Sequence, residues 1–169
     1  MPTPEPASPL DPGTAAGAGT AVVIDDEAGL RRIVVRLLAG EGYRVQEHDC
    51  GEAGLRAVEA LGADAGLVVT DLVMPGISGV AVATVLRRYR PWLPVICMTG
   101  AWEPAPGEAL PPGTALLQKP FAKQDLLTLV RETCARASHS QQAASQSRDR
   151  TATLRNAMDL VAAARALRP

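Results

Sequence analysis

The amino-acid sequence predicts a doubly wound α/β domain built on a five-stranded parallel sheet, and three observations carry that prediction. Five short apolar runs are spread along the middle of the chain, and helix-period segments lie between most of them. At least three of the runs are apolar on consecutive residues rather than on alternate ones. Consecutive apolar residues mark strands buried on both faces, and strand–helix alternation lays right-handed crossover helices over both sides of a parallel sheet.

The elements follow in order. The strand runs are Ala21–Asp25, Tyr43–Glu47, Gly66–Asp71, Pro94–Thr99 and Thr114–Gln118. Leu30, Ile33, Val34, Leu37 and Leu38 repeat at helical spacing and define a first helix that stops at Gly40 or Gly42. A second, less regular helix is predicted over Gly51–Leu61. Val82, Val85, Leu86 and Tyr89 define a third, opened by Ser78, whose hydroxyl suits an N-cap. Leu126, Leu129, Val130, Cys134 and Ala137 define the last helix of the domain. Where a helix should separate the fourth and fifth strands, residues 101–113 read AWEPAPGEALPPG. Proline removes a helical hydrogen bond and clashes with the preceding turn, at about 3 kcal/mol each. The fourth helix is therefore expected to be short or absent, at most one turn around Gly107–Leu110.

The domain is bounded at 20–137. Residues 1–19 hold five prolines, three glycines and four alanines without apolar periodicity, the composition of a disordered arm. Residues 138–150 (SHSQQAASQSRDR) predict a polar linker, and 151–169 an amphipathic helix with Leu154, Met158, Leu160, Val161 and Leu167 on its apolar stripe. Five arginines against two aspartates make the segment from Ser138 onward locally basic. That helix would either pack on its own domain or bind a partner, including a second copy of the chain. One helix is too little for a helix-turn-helix output domain. The formal charge of −1, from 17 basic and 18 acidic residues, gives no global attraction to nucleic acid or an anionic membrane. Cys50, Cys97 and Cys134 are odd in number and form no CxxC pair, which is free-thiol usage. With no apolar leader or spanning run, a cytoplasmic location is expected.

The chemistry gathers at the carboxyl ends of the strands, where open parallel sheets bind ligands. Asp25 and Asp26 follow the first strand, Asp71 ends the third, Thr99 ends the fourth and Lys119 follows the fifth. Three carboxylates on one rim repel unless a cation sits among them, and their oxygens suit Mg²⁺ or Mn²⁺. The rim is expected to serve phosphoryl transfer. Asp71 would attack phosphorus, Lys119 and the metal would neutralise the moving oxygens, and the Thr99 hydroxyl would bond the phosphoryl group.

DD at 25–26, LVVTDLVMPG at 67–76, VICMTG at 95–100 and QKPF at 118–121 together resemble the receiver domain of two-component response regulators. The resemblance covers the whole block from Thr20 to Ala137. It implies a flavodoxin-like sheet of order 2-1-3-4-5 and a phosphorelay role, with Asp71 accepting a phosphoryl group from a histidine kinase or phosphotransfer protein. It further implies metal ligation by Asp26, by Asp25 through water, by Asp71 and by the Val73 carbonyl, with Thr99 as switch hydroxyl. Lys119 would contact the phosphoryl group, and the bond before Pro120 would be cis. Such a module signals through protein contacts, is not an enzyme on other substrates, and catalyses only its own phosphorylation and dephosphorylation. Leu116 departs from the family, which usually carries an aromatic switch residue at that position.

Other polar residues have plainer readings. Asp64, Glu27 and Asp49 are expected to be surface charges, the cysteines core residues, and His48 and His139 lack metal-ligand spacing. Trp102, three residues past Thr99, is open to either pocket-covering or loop packing. The alternative function, an aspartyl-phosphate hydrolase of the haloacid-dehalogenase type, needs an acid two residues after its nucleophile. Val73 stands there and transfers no proton.

Overall fold

Thr20–Ile24 forms β1, and each of its five residues is buried. In the structure, a computed structural model, residues 19–100, 109–146 and 165–166 are described. The remaining elements are α1 (Ala28–Gly40), β2 (Arg44–His48), α2 (Gly51–Leu61), β3 (Ala65–Asp71), α3 (Gly79–Tyr89), β4 (Val95–Thr99), β5 (Ala115–Gln118) and α4 (Lys123–Gln146). The five strands form one sheet in the order β2-β1-β3-β4-β5, and every pairing is parallel. This is the flavodoxin-like arrangement that the receiver-domain resemblance implies.

Side-chain alternation divides the core into two layers. Val22 and Ile24 of β1, Val68 of β3 and Val95 and Cys97 of β4 pack with Leu55 and Val58 of α2 and Val82, Val85 and Leu86 of α3. Ala21, Val23, Leu67, Val69, Ile96 and Met98 face the other way, onto Val34 and Leu38 of α1 and Leu126 and Val130 of α4. Each fully buried Val, Leu or Ile contributes roughly 1.5–3 kcal/mol, so both layers stabilise the strand ends that carry the polar residues. The approach is close at Gly54 of α2, where an added Cβ would strike the Ile24 side chain.

Ser78 caps α3, its Oγ accepting the Ala81 N–H at 3.3 Å. At the other end of α3, Arg87 donates to the carbonyls of Pro91 (2.8 Å), Leu93 (2.9 Å) and Gly113 (3.1 Å). One guanidinium thus ties the helix to the approaches of both β4 and β5.

Two expectations concern the irregular segments. Residues 109–114 carry a turn and no helix, with Gly113 at φ +81° and the Thr114 N–H on the Pro111 carbonyl. Residues 101–108, Trp102 among them, lie outside the described residues, as does most of the expected terminal helix 151–169 and the arm before Gly19. The expected linker at 138–150 is corrected over residues 138–146, where α4 does not stop at Ala137 but continues to Gln146, while residues 147–150 lie outside the described residues. Serine and glutamine there suggested solvent, yet no Gly or Pro interrupts Lys123–Gln146, and Ala and Gln are sound helix formers. A helix of 24 residues is about 36 Å long.

Candidate phosphoryl-transfer site

At the carboxyl end of the sheet, Asp25, Asp26 and Asp71 converge. One carboxylate oxygen from each lies within 4.8 Å of the others. Asp25 is fully buried and Asp71 nearly so, whereas Asp26 is exposed.

Asp25 has a partner for every polar atom. Its N–H donates to the His48 carbonyl (3.1 Å), which fixes the end of β1 against the end of β2. Oδ1 accepts the Glu27 N–H at 2.7 Å, Oδ2 accepts Lys119 Nζ at 3.3 Å, and the main-chain carbonyl accepts Arg31 Nη1 at 2.6 Å. Burial raises the Asp25 carboxyl above the usual range, against the opposing pull of the Glu27 amide and Lys119.

Asp71 is held from both sides. Lys119 Nζ lies 3.0 Å from its Oδ2. Its carbonyl accepts the Thr70 hydroxyl at 3.0 Å and abuts Gly79, where a Cβ would collide with it. The next residue continues the sheet, the Leu72 N–H donating to the Met98 carbonyl at 2.9 Å. Glycine at the first position of α3 therefore lets the helix pack directly behind the Asp71 peptide.

Thr99 is buried, and among the described residues its Oγ1 has no hydrogen-bonding partner. Leaving such a hydroxyl unpaired costs about 1–3 kcal/mol, a cost that an incoming oxygen acceptor would remove. The Thr99 carbonyl accepts the Lys119 N–H at 2.6 Å, and the Lys119–Pro120 peptide is cis. Val73 follows β3 with its side chain 65% exposed. Leu116 is 45% exposed, because alternation along β5 turns Ala115 and Leu117 inward and Leu116 out. Among the described residues His48 belongs to no cluster of three groups that could hold a metal ion, and burial lowers its pKa.

Three carboxylates face one ammonium, so the donor set has room for a hard, oxygen-seeking divalent cation. Sequence reasoning gathered Asp25, Asp26, Asp71, Thr99 and Lys119 but missed Arg31 and Gly79. Both act through main-chain atoms, which apolar periodicity does not register.

With this geometry in view, comparison with known proteins is specific. Residues 21–131 match the model of the response regulator receiver domain. The chain belongs to that family. This receiver is 35% identical over 118 residues to the sensor kinase CckA of Brucella abortus, which covers 69% of this chain but 12% of the kinase. It is 37% identical over 117 residues to the transcriptional regulatory protein FixJ of Azorhizobium caulinodans, covering 68% of this chain and 54% of FixJ. The chain thus spans about half or less of the length of these relatives. Among solved structures, the receiver domain of the hybrid histidine kinase CckA superposes with a TM-score of 0.57 at 29% identity, over 69% of this chain and 99% of that one. A response regulator receiver protein from Sinorhizobium medicae gives a TM-score of 0.61 at 28% identity, over 72% and 98%. Among the described residues, no helix is long and apolar enough to cross a membrane.

Proposed function

We propose that this receiver takes a phosphoryl group onto Asp71 from a histidine kinase or phosphotransfer protein, with Mg²⁺ as the cation, and signals through protein contacts. The observation that carries the reading is Lys119 Nζ placed 3.0 Å from Asp71 Oδ2 and 3.3 Å from Asp25 Oδ2, inside a cluster of three carboxylates.

The transfer is one displacement. An Asp71 carboxylate oxygen attacks phosphorus, a P–O bond forms and the P–N bond of the phosphohistidine breaks. The electron pair returns to the imidazole, which carries a proton on its other nitrogen and leaves as the neutral base. Lys119 offsets charge on Asp71 before the transfer and on the phosphoryl oxygens during it. The Thr99 hydroxyl, unpaired beforehand, gains an acceptor once the acyl phosphate exists. Asp25, Asp26, Asp71 and the Val73 carbonyl would hold Mg²⁺. When bound, the ion supplies positive charge to phosphoryl oxygens and relieves repulsion among the carboxylates. Water attack on the acyl phosphate returns the aspartate, so the protein turns over only its own modification.

Intact-mass measurement with acetyl phosphate and Mg²⁺ tests this. Covalent labelling of the parent protein, lost in Asp71→Asn and lost with a chelator, is the expected result. Equal labelling of parent and variant would overturn the assignment.

A further inference from the structure

We infer that Arg31 is a positioning residue for the acidic pocket, setting the orientation of Asp26 through the Asp25 main-chain carbonyl. The inference rests on the phosphoacceptor reading above and deepens it.

Arg31 lies in the first turn of α1, and its own N–H is bonded to the Glu27 carbonyl, so its Cα is fixed by the helix. Its guanidinium then bridges two elements. Nη1 donates to the Asp25 carbonyl at 2.6 Å, and Nε donates to Glu47 Oε2 on β2 at 3.1 Å. The Arg31 side chain is mostly buried, at 15% exposure, while Glu47 is half exposed.

The Asp25 carbonyl and the Asp26 amide share one rigid peptide plane. Fixing that oxygen fixes the plane, and with it the direction in which the chain leaves toward the Asp26 Cα. Asp25 needs no such help, because its N–H and both carboxylate oxygens already hold it. Asp26 is the exposed member of the cluster and has no side-chain bond of its own among those seen at the site. Without the guanidinium, the buried Asp25 carbonyl would have to turn toward water, rotating the plane and carrying the Asp26 carboxylate out of the cluster. Removal of such outer-shell partners typically weakens metal binding 10–100-fold.

The test uses the full chain with Arg31→Met, which keeps the aliphatic stem and removes every donor. Calorimetric titration with Mg²⁺ should show a Kd on the order of tenfold weaker than the parent's. At saturating Mg²⁺, labelling by acetyl phosphate should recover to within about threefold of the parent, because the reacting groups are intact, and Arg31→Lys should restore part of the affinity. If circular dichroism shows Arg31→Met unfolded, Arg31→Gln, too short to bridge Asp25 and Glu47, carries the same expectation. A folded Met or Gln variant with an unchanged Mg²⁺ Kd overturns the role of Arg31 while leaving the phosphoacceptor reading intact. A parent that neither binds Mg²⁺ nor is labelled overturns both.

Discussion

Lys119 Nζ lies 3.0 Å from Asp71 Oδ2 although β4 separates the strands from which the two residues extend. The Lys119 N–H bonded to the Thr99 carbonyl fixes the lysine at the end of β5, and its stem then reaches over β4 to Asp71. It also meets Asp25, so one ammonium serves two of the three carboxylates.

Lys119→Met should therefore leave two partly or fully buried carboxylates without their cation. Charge-assisted hydrogen bonds contribute about 1.5–3 kcal/mol, so the metal-free variant is expected to unfold about 2 kcal/mol more easily at pH 7 in a urea titration. Labelling by acetyl phosphate should also fall steeply. A variant as stable and as readily labelled as the parent would remove Lys119 from the site.

The metal linkage has a definite size. If, as proposed, Mg²⁺ binds the assembled carboxylates and not the unfolded chain, then at ten times its Kd it should stabilise the folded protein by about 1.4 kcal/mol. Asp26→Asn is expected to abolish that increment and to change the metal-free stability little, because Asp26 is exposed. Thermal melts with and without Mg²⁺ on both proteins decide it. An undiminished shift in Asp26→Asn would locate the ion elsewhere.

Asp25 gives a pH dependence whose sign is fixed by its burial. Its folded-state pKa lies above the unfolded value of 3.8, chiefly through desolvation. A carboxyl so raised favours folding most when protonated, and that contribution is lost as pH rises through the folded-state value. In the metal-free protein, Asp25→Asn should accordingly be more stable than the parent at pH 7, with the difference shrinking below pH 3.8. Urea midpoints of the two proteins across that range report it. A variant less stable than the parent at pH 7 would mean that the Lys119 and Glu27 bonds outweigh burial.

Gly79 tests how tightly α3 is set behind Asp71. A Cβ there would collide with the Asp71 carbonyl, which is rigid main chain and cannot rotate aside. Overpacking of this kind costs about 1–3 kcal/mol, so Gly79→Ala should lower the urea midpoint by that amount and slow labelling of Asp71. Neutral behaviour in both measurements would show that α3 moves away freely.

Much of this was legible in the sequence because the sheet is buried on both faces. The apolar runs located every strand to within one residue, Tyr43–Glu47 becoming Arg44–His48 and Pro94–Thr99 becoming Val95–Thr99. Ser78 announced α3 by its side-chain chemistry, and the pocket residues stood where strand ends had to meet. The end of α4 was not legible. Beyond Ala137 its residues are polar but helix-tolerant, and a segment free of Gly and Pro carries no stop signal. Arg31 was missed for a different reason: its partner is a carbonyl, and main-chain acceptors leave no trace in a residue string.

The last prediction concerns Leu116, at the position where the resemblance to receiver domains implies an aromatic switch residue. Leu116 is 45% exposed and lies on the outward side of β5, opposite the inward Ala115 and Leu117. An aliphatic side chain has no polar edge to exchange between a buried and an exposed position. A ligand shifts a conformational equilibrium only through contacts that differ between the two states. Under the proposed phosphorylation, the contact expected to change is the unpaired Thr99 hydroxyl, whose chain continues directly into residues 101–113. Beryllofluoride, as a phosphoryl mimic, should therefore alter amide exchange mainly in 101–113 and leave β5 nearly unchanged. Leu116→Ala should cost less than about 1 kcal/mol and keep the exchange response. A response concentrated at Leu116 and α4, and lost in Leu116→Ala, would show that the aliphatic residue does the aromatic's work after all.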